Sequence, residues 1–133
     1  MKHDEFIGQV QARARLSSRG DAERATRATL ETLAERLSGG EPKDLGAQLP
    51  RELGRYLMNP EADKAERLTL DEFFGRVSER EGVDLPIAVH HSRAVVSVLT
   101  EAVSPGEIND VRDQLGAEFA PLFQSGSEGE MRT

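Results

Sequence analysis

The chain has no cysteine and no tryptophan. Without a thiol it can form no disulfide, no cysteine-ligated metal site and no thiolate nucleophile. Aromatic residues make up only 5% of its 133 residues, a poor supply for stacking nucleic-acid bases. No stretch approaches the roughly 20 apolar residues of a membrane span, and the best aliphatic run, 94–99, is interrupted by Ser97. The opening MKHDEFIGQVQARAR lacks the apolar core of a secretory signal. Phosphate-binding glycine loops and nucleophile elbows are missing as well. So is the alternation of apolar and polar residues that marks a strand. The chain is therefore expected to be cytoplasmic and all-α, with no membrane contact.

Charge is abundant. Acidic residues number 24 and basic ones 17, for a net charge of -7. Such a surface favours solubility and repels polyanions on average. Arg13, Arg15, Arg19, Arg24 and Arg27 make the N-terminal part the most basic, but Asp4, Glu5, Asp21 and Glu23 are interspersed. Nucleic acid is therefore not an expected partner.

The most informative feature is a repeat. Residues 27–57 and 93–123 align without a gap when slid by 66, matching Arg27/Arg93, Leu33/Leu99, Glu35/Glu101, Ser38/Ser104, Glu41/Glu107, Asp44/Asp110, Gln48/Gln114 and Glu52/Glu118, among others. An earlier block recurs at a shift of 67, with Asp4-Glu5-Phe6 against Asp71-Glu72-Phe73 and Arg13 against Arg80. Each copy must take nearly the same shape. A copy of about 60 residues is marginal alone. The expectation is one duplicated domain over 1–123, with repeat one at 3–58, a linker at 59–68 and repeat two at 69–123. Residues 124–133 would form a flexible tail.

Helical spacing runs through both copies. Phe6, Ile7, Val10 and Ala14 predict a helix over 3–15, and Leu30, Leu33 and Leu37 one over 21–37. In the second copy Phe73, Phe74 and Val77 mark the first helix, and 85–103 forms the long second one. Ser38 with Glu41, Ser104 with Glu107 and Thr69 with Glu72 have the S/T-x-x-E spacing of a capping box. Asp84 is placed to cap the 85–103 helix. Short third helices end at Pro50 and Gly116, and short fourth helices carry Leu53 and Leu57 or Phe119 and Phe123. The predicted fold is about eight helices, in two tandem four-helix repeats packed as one pseudo-two-fold bundle.

DEFIGQVQARA, RATLETLAERLSGGEPKDLGAQLP and LDEFFGRVSEREG occur in this order, and in them the chain resembles the bacterial domain of unknown function 2267 family. The resemblance covers Lys2 to about Phe123. It implies a small all-helical protein and brings no reaction, cofactor or catalytic residue with it. One departure is visible, since the Leu49-Pro50 signature of copy one becomes Leu115-Gly116 in copy two.

The copies differ most on their long helices. One stripe is apolar in both, but its neighbour reads Ala25, Thr29, Thr32, Arg36 in copy one and His91, Val95, Val98, Ala102 in copy two. A helix apolar over so wide an arc is either central or covered by something else. His91, Val95, Val98 and Ala102 are thus either monomer core or an interface, such as a homodimer seam. His90 and His91 point about 100° apart on a helix and cannot grip one ion together. The carboxylate pairs Glu41/Asp44 and Glu107/Asp110 lie in first helical turns, where they complement the helix dipole, and are read as structural. Arg27 and Arg93 would pair with Asp44 and Asp110, and Gln48 and Gln114 would link helices. No catalytic residue, cofactor or metal is expected. The chain reads as a non-enzymatic helical interaction module whose partner is another protein or a second copy of itself. The alternative is a small-molecule binder or enzyme with a pocket between the repeats, on which His91, Arg36 and Tyr56 would converge. Any ligand is unknown.

Overall fold

In the computed structural model, residues 1–58 and 66–124 are described. Helix α1 spans His3–Ala14, α2 Arg19–Arg36, α3 Glu41–Ala47 and α4 Arg51–Gly54, which runs on as a 3-10 turn Arg55–Leu57. Helix α5 spans Leu70–Glu81, α6 Leu85–Ala102 and α7 Pro105–Leu115, followed by a 3-10 segment Ala117–Phe123. Among the described residues there is no strand, as the periodicity predicts. The spans of α1 and α5 keep the shift of 67, and those of α2 and α6 the shift of 66. Most of the expected linker, and all of the expected tail after Gln124, lie outside the described residues. The linker's last residues are tied down, because the Glu66 amide donates to the Glu35 carbonyl at 2.8 Å and Leu68 is buried.

The long helices α2 and α6 pack on each other, and α1 and α5 each pack on both of them. One continuous apolar cluster contains Phe6, Ile7, Leu30 and Leu33 together with Phe73, Val95, Leu99 and Phe119. Its two halves therefore share one interior. The Phe73 ring meets Phe74 and Phe119 edge-on, at centroid distances of 6.0 and 5.8 Å, a favoured geometry for aromatic pairs. Helices α3, α4, α7 and the 3-10 segments lie beside this four-helix centre and touch one another.

The helix ends show where local sequence rules hold. Thr69 and Glu72 form the full capping box at the start of α5, with bonds of 3.1 and 2.9 Å. Ser18, not singled out in the sequence, caps α2 by accepting the Asp21 amide. Asp84 occupies the cap position of α6, but its side chain accepts no cap bond. Ser38 does not cap α3. Gly39 takes a left-handed φ of 62° and delays the helix to Glu41, whereas Pro105 at the matching place starts α7 at once. The fourth element of copy two is a 3-10 helix rather than an α-helix. Gly116 precedes it at φ 85° and Pro121 interrupts it, so the regular bonding pattern cannot propagate. In copy one, α3 and α4 meet backbone to backbone at Gly46 and Gly54, where a Cβ on Gly54 would stand 2.7 Å from the Gly46 carbonyl oxygen.

Candidate functional site

The stripe singled out on α6 lies inside the monomer. Val95 and Val98 are fully buried, His91 nearly so, and Ala102 half-buried against the core. The homodimer-seam reading thus has no exposed face to rest on. The matching stripe on α2, which the sequence presents as polar, is also buried, with Ala25, Thr29 and Thr32 at 0% exposure. Hydroxyls make this possible. Thr26 and Thr32 donate to carbonyls one turn back, at 2.8 and 2.7 Å, so their polar atoms reach the interior already satisfied. The Thr29 hydroxyl alone among these threonines has no partner.

His91 has a partner that helix spacing could not reveal. Its Nδ1 meets the Glu81 carboxylate on α5, and both side chains are buried. Glu81 was missed in the sequence, although it follows Phe74 and Val77 on the apolar stripe of α5. An acid at such a position calls for a buried partner. Copy one has Ala14 and Ala25 at the matching places, both buried. The second Glu81 oxygen has no hydrogen-bond partner. His90 is exposed, and the two histidine rings are tilted 50° at 5.9 Å, with His91 already held by Glu81.

Contacts between copies are exchanged. Arg13 binds Glu101 at 2.7 Å, and Arg80, its counterpart, binds Glu35, the counterpart of Glu101. The Arg13 hydrogen bond lowers the Glu101 pKa. Burial works against the Glu35 carboxylate, but bonds from Arg80 and Arg76 outweigh it and lower its pKa. Gln48 accepts the Ser104 amide at 2.8 Å, and Gln114 accepts the Ser38 amide at 2.9 Å. Both glutamines thus link helices as their recurrence predicts.

That second exchange creates the site. In a capping box Glu41 and Glu107 would reach back to the Ser38 and Ser104 amides. Those amides are taken by glutamines from the opposite copy, which frees both carboxylates to turn toward each other where α3 meets α7. One oxygen each from Glu41, Glu107 and Asp110 lie within 4.8 Å of one another. Glu107 is 7% exposed, and the Oε2 atoms of Glu41 and Glu107 are buried with no hydrogen-bond partner. Burial first, then the facing Glu41 carboxyl and the charges of Asp44 and Asp110, push Glu107 up to about 8. A glutamate in the first turn of a helix normally gains from the dipole by up to about 1 kcal/mol. Here desolvation and like charge win. The sequence showed both acidic pairs; it did not show that they meet.

The other candidates are engaged separately. Arg36 donates to the Leu68 and Leu115 carbonyls and lies 5.2 Å from the Phe119 ring centroid. Tyr56 sits beneath Arg27, which pairs with Glu31 rather than Asp44. Arg93 donates to the Pro121 carbonyl at 2.9 Å rather than to Asp110. His91, Arg36 and Tyr56 share no partner in these contacts. Of the N-terminal arginines, Arg13, Arg19, Arg24 and Arg27 each face an acid. A groove of about 520 Å³ runs between Met1–Glu5 and Pro50–Glu52, but it is open and lined largely by charged and flexible side chains. Among the described residues no helix is long and apolar enough to cross a membrane.

A family model described as "Uncharacterized conserved protein (DUF2267)" matches residues 3–122. The chain belongs to that family. No curated protein matches it.

Proposed function

We propose that the protein is a non-enzymatic helical module that acts by binding, and that the seam between α3 and α7 is its binding element. The carrying observation is the meeting of Glu41, Glu107 and Asp110 from both halves of the chain, with two buried carboxylate oxygens left unpartnered. Unpaired buried oxygens are costly, and a partner that supplies positive charge or a donor would relieve them. The best-buried acid elsewhere and the two exchanged ion pairs between helices are engaged in holding the fold. Glu81 and His91 are sealed in the core, and the arginine–glutamate pairs hold α1 to α6 and α5 to α2.

The test compares wild type with a Glu107→Gln/Asp110→Asn variant. Both are used as bait in the native cell extract, and both are weighed in solution by light scattering. A partner, or a second copy, should be retained by wild type and lost or weakened at least about ten-fold in the variant, which is roughly 1.4 kcal/mol. Equal capture and equal mass for the two proteins would overturn the assignment to this seam.

A further inference from the structure

The seam has the chemistry of a hard-cation site. Its donors are carboxylate oxygens only, with no nitrogen or sulfur, which selects Ca²⁺, Mn²⁺ or Mg²⁺ over softer metals. Glu107 stands nine-tenths buried with Oε2 unpartnered, Glu41 has a second buried, unpartnered oxygen, and Asp110 closes the group from the solvent side. The charged groups acting on Glu107 are all acids, namely Glu41 and Asp44 from α3 and Asp110 from its own helix. Two helix N-termini point positive potential at this place, but each is worth about 1 kcal/mol or less, and burial with like charge already overrides that in Glu107.

We infer that the seam binds one divalent cation, with Glu41, Glu107 and Asp110 as its protein ligands and water completing the shell. The inference rests on the reading of this seam as the binding element, and it names the ligand class. Ca²⁺ fits best. Its shell is flexible in number and angle, whereas Mg²⁺ demands near-octahedral order and gives up water reluctantly. The bound ion would join α3 to α7 and so clamp the first half of the chain to the second.

The experiment is calorimetric titration of the full chain with calcium chloride at 0.15 M salt. The expected result is one Ca²⁺ per chain. Magnesium chloride should bind more weakly. Glu107→Gln should lower Ca²⁺ affinity at least ten-fold, and Asp110→Asn should weaken binding as well. Asp71→Asn, an exposed acid in the first turn of α5, should leave the affinity unchanged. No heat up to 10 mM Ca²⁺, or equal affinity in wild type and both seam variants, would overturn the cation site. If no ion binds but partner capture still depends on Glu107, the cation fails and the seam reading survives. If Ca²⁺ binds as described while capture ignores Glu107, the reverse holds.

Discussion

Helices α2 and α6 have the same length and both pack in the centre of the molecule, yet they fill that place with different chemistry. Helix α2 buries Leu30, Leu33 and four alanines with Thr26, Thr29 and Thr32; α6 buries Val95, Val96, Val98, Leu99 and two alanines with His91 and Ser92. A hydropathy scale ranks the first face as half polar and the second as apolar. Burial does not follow that ranking, because a threonine in a helix can spend its hydroxyl on its own backbone and present a methyl to its neighbours. The real asymmetry is elsewhere. Copy one has small apolar residues at Ala14 and Ala25, where copy two has an acid and a histidine locked together.

The harshest test of equal burial is a charge in each stripe. Val98→Asp on α6 and Thr29→Asp on α2 should both abolish folding, each costing more than about 4 kcal/mol, since neither site offers a partner for a buried carboxylate. Circular dichroism and elution volume would read this. A folded, soluble Thr29→Asp protein would restore the one-sided picture that hydropathy suggests.

Milder, and aimed at the buried Glu81–His91 pair, is Glu81→Ala. It should cost about 3 kcal/mol in urea unfolding, because His91 is left buried without its acid. The double variant Glu81→Ala/His91→Ala copies the pairing of copy one. It should recover part of that loss, the remainder being the cavity. A double variant no more stable than Glu81→Ala would show that the pair is not coupled.

The seam divides the halves by pH. Glu107 ionises near 8 when folded, against an ordinary value of 4.5. Its raised pKa favours the folded state, which retains the proton, fully at pH below about 4.5. That contribution is lost as pH rises toward 8, where the unfolded chain has released a proton that the folded one still holds. Wild type should lose on the order of 10 °C in Tm between pH 5 and 9 from this group. Glu107→Gln should flatten that slope. An unchanged slope would place the alkaline loss in another group.

What could be read in advance follows from how far each rule reaches along the chain. The helices, the Thr69–Glu72 box and the shared core of Leu30, Leu33 and Leu99 all depend on spacing within one segment or on the repeat itself, and these were legible. Gln48 and Gln114 were legible as links because recurrence marked them. The seam was only half visible. Glu41 and Glu107 stood out, but their use as caps could be rejected only after Gln114 and Gln48 were seen on the serine amides. Glu81 with His91 was hidden because the two lie on different helices, and helical spacing relates only residues on the same one. The contrast of Ala14 and Ala25 with Glu81 and His91 held the clue, because two symmetry-breaking polar residues at buried places each need the other.

The gentlest comparison concerns one hydroxyl. Thr29 and Val95 occupy matching places on α2 and α6, both at 0% exposure, and they differ only by an oxygen for a methyl. Thr26 and Thr32 bond to their own helix, and Thr32 also accepts from Arg80 at 3.0 Å, but the Thr29 hydroxyl meets no partner. An unpaired buried hydroxyl costs about 1 kcal/mol or more. Thr29→Val keeps the shape and removes that cost, so it should raise stability by about 1 kcal/mol, while Thr32→Val, which breaks two bonds, should lower it by a similar amount. Paired urea curves on the two variants would measure opposite signs from the same chemical change. Two losses of equal size would mean that α2 holds its hydroxyls for packing alone, and that burial on α2 and α6 is matched in area but not in kind.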